Sequence, residues 1–108
     1  MTAQTEPSRT PFRLGAAEIE PARSRIRLGQ AEQTVEPRVM DVLCALAEAG
    51  GAVVGREALI DTVWGVEHGG DERLSRAISI LRRLFKELGL DDPVIETIPK
   101  RGYRLLLP

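Results

Sequence analysis

The residues best suited to a chemical task lie in the stretch DERLSRAISILRRLFKEL, Asp71 to Leu88. From Arg73 to Lys86 it carries five basic residues (Arg73, Arg76, Arg82, Arg83 and Lys86) and no acidic one. A second cluster, Lys100, Arg101 and Arg104, again has no acidic neighbour between its ends. Guanidinium and ammonium groups gathered this way attract a polyanion, and an arginine fork can also match a pair of acceptors on one ligand. The other reading of such a face is plain solvated surface, so the elements that carry the charges must be considered.

On a helix, Leu74, Ile78, Leu81, Phe85 and Leu88 fall four and three residues apart and draw one apolar stripe. That stripe predicts a helix whose back is core. Its opposite side and flanks then present Arg73, Arg76, Ser79, Arg82, Arg83 and Lys86. Gly69 and Gly70 precede the helix, Asp71 is expected to cap it and complement its dipole, and Gly89 ends it.

The 108 residues make one domain with a single compact core. With 43% hydrophobic residues and only two Phe, one Trp and one Tyr, that core must be mainly Leu, Val, Ile and Ala. The formal net charge of -1 argues at first against a nucleic-acid partner. The acidic residues lie largely away from the two basic clusters, however, and the local field decides where an anion docks.

The one cysteine, Cys44, excludes a disulfide or a multi-cysteine metal site within the chain, and its apolar neighbours mark it as core. Residues 1–11 have no apolar run and are expected to be a disordered lead-in, with the domain spanning 12–108. No apolar run approaches the ~20 residues that span a bilayer, so the piece is expected to be soluble.

From Phe12 to Val35, short segments are separated by turn residues. Strands are expected at Phe12–Leu14, Ala17–Glu20, Arg25–Leu28 and Gln33–Val35, and Ile26 and Leu28 alternate with Arg25 and Arg27 as a half-buried strand requires. Pro37 opens a helix that runs through Ala49 to the Gly50–Gly51 pair. Ala52–Val54 is a short extended link. A second helix follows at Arg56–Trp64, with Ala58, Leu59, Ile60, Val63 and Trp64 available for burial, then a loop that holds the lone His68, to which no role falls.

After a turn at Leu90–Pro93, the segments Val94–Ile98 and Tyr103–Leu107 read as a hairpin with a basic tip, Pro99-Lys100-Arg101-Gly102. Val94, Ile95, Ile98, Leu105 and Leu107 are the residues able to anchor it. The pattern is α+β: a small N-terminal antiparallel sheet, three helices and a C-terminal hairpin.

Two helices, a short loop, a third helix with a basic outer face and a basic hairpin together make a winged helix-turn-helix. The runs GGAVVGREALIDTVWG, RAISILRRLFKEL and VIETIPKRGYRLL resemble the effector domains of OmpR/PhoB-type response regulators. They are more similar still to the DNA-binding domains of ToxR/CadC-like transcriptional activators. The resemblance covers Phe12 to Leu107. It implies a double-stranded DNA partner in a bacterial transcription regulator, with the third helix in the major groove and the hairpin wing at residues 99–104 near the minor groove.

Carried over by position, Arg73, Arg76, Ser79, Ile80 and Arg83 are expected at or near base edges. Arg76 and Arg83 suit guanine, Ser79 is an undiscriminating partner, and Ile80 suits a thymine methyl. Arg82 and Lys86 are expected at phosphates, with Lys100, Arg101 and Arg104 as the wing's contribution. Arg56, at the start of the second helix, is expected at a backbone phosphate. Trp64 is expected to plug the core and Tyr103 to tie the wing to it.

The sequence departs from the family's pattern in three places. Glu36 and Gly55 stand where Ser or Thr commonly precedes the first and second helices. Ile80 stands where polar or basic residues are frequent. The loop before the third helix is shorter than the one through which relatives can meet RNA polymerase.

No cofactor and no small-molecule substrate is implied. Binding as a weak monomer, or as a tandem dimer on DNA, is expected in the cytoplasm. An N-terminal placement in a membrane-anchored regulator is expected as well. A protein-interaction module that has lost DNA is the competing reading, suited by the acidic balance. An enzyme is disfavoured, because no nucleophile–base pair or metal-ligand cluster stands out.

Overall fold

The structure, a computed structural model, describes residues 10–65, 69–90 and 93–106. Most of the N-terminal lead-in, His68 in its loop, Asp91 and Asp92 in the turn after the third helix, and Leu107 lie outside the described residues.

Short strands alternating in polarity fold into a four-stranded antiparallel sheet: β1 (Phe12–Leu14), β2 (Ala17–Glu20), β3 (Arg25–Leu28) and β4 (Ala31–Thr34), in that spatial order. A 3-10 turn at Pro21–Arg23 joins β2 to β3. The pleat sends Leu14, Ala17, Ile19 and Ile26 into the core and leaves Arg13, Glu18, Arg27 and Glu32 on the other face.

β4 lies earlier than the sequence suggested. Leu28 pairs with Ala31, so Gly29 and Gln30 form a two-residue hairpin loop and the strand ends at Thr34. Val35 then turns inward, 2% exposed, and its N–H donates to the Ser24 carbonyl at 2.7 Å.

Three helices follow: α1 (Pro37–Glu48), α2 (Arg56–Trp64) and α3 (Gly70–Leu88). α1 buries Val39, Met40, Val42, Leu43, Cys44 and Leu46. α2 buries only Leu59 and Val63. Ala58, expected to be available for burial, is exposed. Trp64 is half-buried at the edge of the core rather than plugging its centre.

α3 buries the expected stripe together with Ala77 and Leu84. Each fully buried Leu or Phe contributes ~1.5–3 kcal/mol, whereas exposed ion pairs contribute ~0–1 kcal/mol. The stripe, and not the charges, therefore decides which way α3 faces.

The start of α3 also differs from expectation. Gly69 is the N-cap and Asp71 lies within the first turn, where its charge still favours the helix dipole. Gly70 is buried against Ile60, and a Cβ at that position would collide with the Ile60 side chain. This close approach lets α3 cross α2 without a gap.

The final hairpin, β6 (Ile95–Ile98) and β7 (Gly102–Leu105), forms as expected. A short strand, β5 (Val54–Gly55), pairs with β7 and makes a second sheet in the order β5-β7-β6. The Ala52–Val54 link thus ends in a strand that ties the wing to the helices. Gly102 faces Gly55 across this pairing, and a Cβ there would enter the Val54 carbonyl. Tyr103, 7% exposed, anchors β7 in the core.

Candidate nucleic-acid interface

The exposed side of α3 is centred on Ser79 and carries Glu72, Arg73, Ser75, Arg76, Arg82, Arg83 and Lys86. The side chains of Arg83 and Lys86 make no hydrogen bond or ion pair with another described residue, and neither do those of Lys100 and Arg101 at the wing tip. An exposed guanidinium left without a carboxylate keeps its N–H donors for an outside acceptor.

The wing tip is a tight turn in which the Arg101 N–H donates to the Ile98 carbonyl at 2.9 Å. Pro99 supplies the restricted φ of its second position, and Lys100 takes φ +66 at the third. This backbone projects Lys100 and Arg101 into solvent, where both side chains are exposed.

Four other cations of the expected site, Arg82, Arg104, Arg56 and Arg76, are engaged within the protein. Arg82, expected at a phosphate, donates through Nη2 to the Ile95 carbonyl at 3.1 Å and to Thr97 Oγ1 at 2.7 Å. It braces α3 against β6 and sets the wing beside the exposed face of α3. Arg104 donates through Nε to Glu96 Oε1 at 2.6 Å across the hairpin, so its charge is neutralised there.

Arg56, expected at a backbone phosphate, is a hub. Its Nη1 donates to the Tyr103 hydroxyl at 2.6 Å. Its Nη2 donates to the Asp71 carbonyl at 3.0 Å and to Ser75 Oγ at 3.3 Å, and also meets Asp71 Oδ1 at 3.2 Å. The start of α2, the first turn of α3 and the wing strand meet on this one side chain.

Arg76 is exposed at the centre of the face but pairs with Glu36, the residue just before α1. Nη1 donates to Oε1 at 3.3 Å and Nη2 to Oε2 at 3.0 Å. The hydrogen bond from Arg76, followed by its positive charge, holds the Glu36 carboxyl below its usual value, and the arginine is raised in return. Glu36 makes no side-chain cap on α1 because its carboxylate reaches across to α3.

Ile80 is half-buried against the core, on the flank of the helix rather than at the centre of its exposed side. Glu36, Ser75 and Thr97 were not legible as part of the site from local sequence. Each joins it through a contact with an arginine between 15 and 40 residues distant along the chain.

Among the described residues, no group of three or more His, Cys, Asp or Glu could hold a metal, and no helix is long and apolar enough to cross a membrane.

Residues 30–105 match the family model described as "Transcriptional regulatory protein, C terminal". The chain is 42% identical over 76 residues to the transcriptional activator CadC of Escherichia coli strain K12, a match that takes in 69% of this chain and 15% of that protein. The chain thus corresponds to a small part of its relative's length. The solved DNA-binding domain of E. coli CadC superposes with a TM-score of 0.82 at 35% identity, covering 94% of this chain and 96% of that one. The Klebsiella pneumoniae RstA DNA-binding domain, solved in complex with the RstA box, superposes with a TM-score of 0.69 at 30% identity, covering 88% and 95%. With its four-stranded N-terminal sheet, three helices and hairpin wing, this chain belongs to the transcriptional regulatory protein C-terminal family, the OmpR/PhoB type of winged helix-turn-helix domain.

Proposed function

We propose that this chain binds double-stranded DNA sequence-specifically as the DNA-binding domain of a bacterial transcription regulator, with α3 in the major groove and the wing tip near the minor groove. The observation that carries this reading is the set of unengaged cations, Arg83, Lys86, Lys100 and Arg101, on a helix face and a wing tip joined by the Arg82–Thr97 bond. The similar RstA domain, solved in complex with the RstA box, supports a DNA partner.

In this arrangement Arg76 and Arg83 read base edges, Ser79 and Arg73 lie at or beside them, and Lys86, Lys100 and Arg101 meet phosphates. Arg56 and Arg82 act through the protein, holding α3 and the wing in register. No step of bond-making chemistry is assigned to the chain. It works in the cytoplasm, where duplex DNA is available, as one domain of a longer regulator.

Fluorescence anisotropy with a labelled duplex, titrated across salt concentrations, tests the reading. Neutralising phosphates releases counterions, so log K should fall linearly with log salt, by about 0.9 for each phosphate neutralised. Absence of binding, or an affinity indifferent to salt, would reject it.

A further inference from the structure

The Glu36–Arg76 pair places a carboxylate on the face proposed to meet a polyanion, where a negative charge is a handicap for simple attraction. The two side chains are 58% and 63% exposed, so water competes for the contact and it adds little to stability. Glu36 caps nothing with its side chain and is itself an exposed residue at the turn into α1. The described hydrogen-bonding partner of its side chain is Arg76.

The geometry of that contact shows what it leaves available. Arginine has five N–H donors in a rigid plane. The carboxylate takes one from Nη1 and one from Nη2, across the end of the guanidinium. The side edge, formed by Nε and Nη2, keeps two parallel N–H groups. A fork of that kind matches the O6 and N7 acceptors of guanine.

We infer that Glu36 is a specificity-determining residue, a positioning carboxylate that reserves Arg76 for a base edge offering two acceptors and withholds it from the phosphate backbone. This rests on the DNA-binding function proposed above. A phosphate that takes the side fork sits beside the Glu36 carboxylate, anion against anion, whereas a guanine edge carries no net charge. A guanine edge can use the side fork while the end-on pair stays intact. Glu36 therefore weakens binding to random DNA more than binding to a preferred site, and the ratio of the two rises.

The test compares two duplexes of equal length, one selected from a random pool by the wild-type chain and one of random sequence. Each is titrated by anisotropy across salt concentrations with wild type, Glu36→Gln and Arg76→Lys. Glu36→Gln should tighten random DNA, steepen its salt dependence by about one phosphate's contribution, and lower the selected-to-random ratio about fivefold or more, the lower end of what one good bidentate contact discriminates. Arg76→Lys keeps the charge but loses the fork, so the ratio should fall while random DNA binds about as before.

An unchanged ratio and slope in Glu36→Gln would overturn the inference. So would equal weakening of both duplexes, which marks a purely structural residue. Because neither side chain is buried, circular dichroism should show both variants folded. If wild type binds neither duplex, the DNA-binding reading fails and this inference with it. If wild type binds and the ratio ignores Glu36, only this inference fails.

Discussion

Two surfaces of this small domain carry many charges and treat them in opposite ways. On the outer face of the N-terminal sheet, strand register lines up Arg13, Glu18, Arg27 and Glu32 across β1 to β4, alternating in sign, with Glu20 and Arg25 in the next row. Arg27 donates to Glu18 at 2.8 Å, and Arg25 Nη2 lies 2.6 Å from Glu20. The hydrogen bond from Arg27 holds the Glu18 carboxyl below its usual value. On α3 and the wing, Arg83, Lys86, Lys100 and Arg101 have no such partners among the described residues. Cross-strand neighbours of opposite charge close one surface on itself, while a helix with no acid between Arg73 and Lys86 leaves the other facing outward. Net charge alone conceals the contrast, because acids elsewhere in the chain, among them Asp41, Glu48, Glu57 and Asp61, offset the cations of α3.

The most disruptive way to break the comparison is to displace the wing. Gly102→Ala should drive β7 away from the Val54 carbonyl, cost about 2–4 kcal/mol of stability by strain and overpacking, and abolish specific DNA binding. Thermal melts and anisotropy measure both. On the open face, Arg83→Ala should cost ~1–3 kcal/mol of binding and relax the preference at one base pair, whereas Lys100→Ala should weaken every duplex alike and lower the salt slope by about one. Equal losses on selected and random DNA for both variants would contradict the assigned roles.

On the closed face, Arg27→Gln should leave DNA affinity within error and change the melting temperature only slightly, because water screens exposed ion pairs. A clear loss of binding would move the interface to the sheet. The smallest effect concerns pH. Glu18 and Glu36 have carboxyls lowered from 4.5 in the fold, so their contribution is present above the unfolded value and is lost as pH falls through the folded one. The melting temperature should therefore be insensitive to these two groups above about pH 5 and decline only in acid. Glu18→Gln should soften that decline.

Much of this was legible in the sequence. The stripe Leu74, Ile78, Leu81, Phe85 and Leu88 located α3, and every member is buried. Turn residues between short segments located β1 to β3, and period-two alternation marked β3, since a strand with one wet face needs it. β4 slipped because its residues, Ala31 to Thr34, have no apolar alternation and are held by pairing with β3. β5 was missed because two residues carry no periodicity, and only β7 makes them a strand.

Site residues divide along the same line. Arg83, Lys86, Lys100 and Arg101 were found from local charge, and the structure leaves them outward. Arg56, Arg82 and Arg104 were given DNA contacts by their positions in the resemblance, and the fold also gives them internal partners.

Sequence by itself determined which side of α3 is apolar and where cations accumulate, because helical spacing and residue type are local properties. Tertiary structure decided which cations stay available, since that depends on carboxylates and carbonyls brought from distant segments. Glu36, 40 residues before Arg76, shows the reason: hydrogen bonds act over about 3 Å, a range that chain separation does not encode.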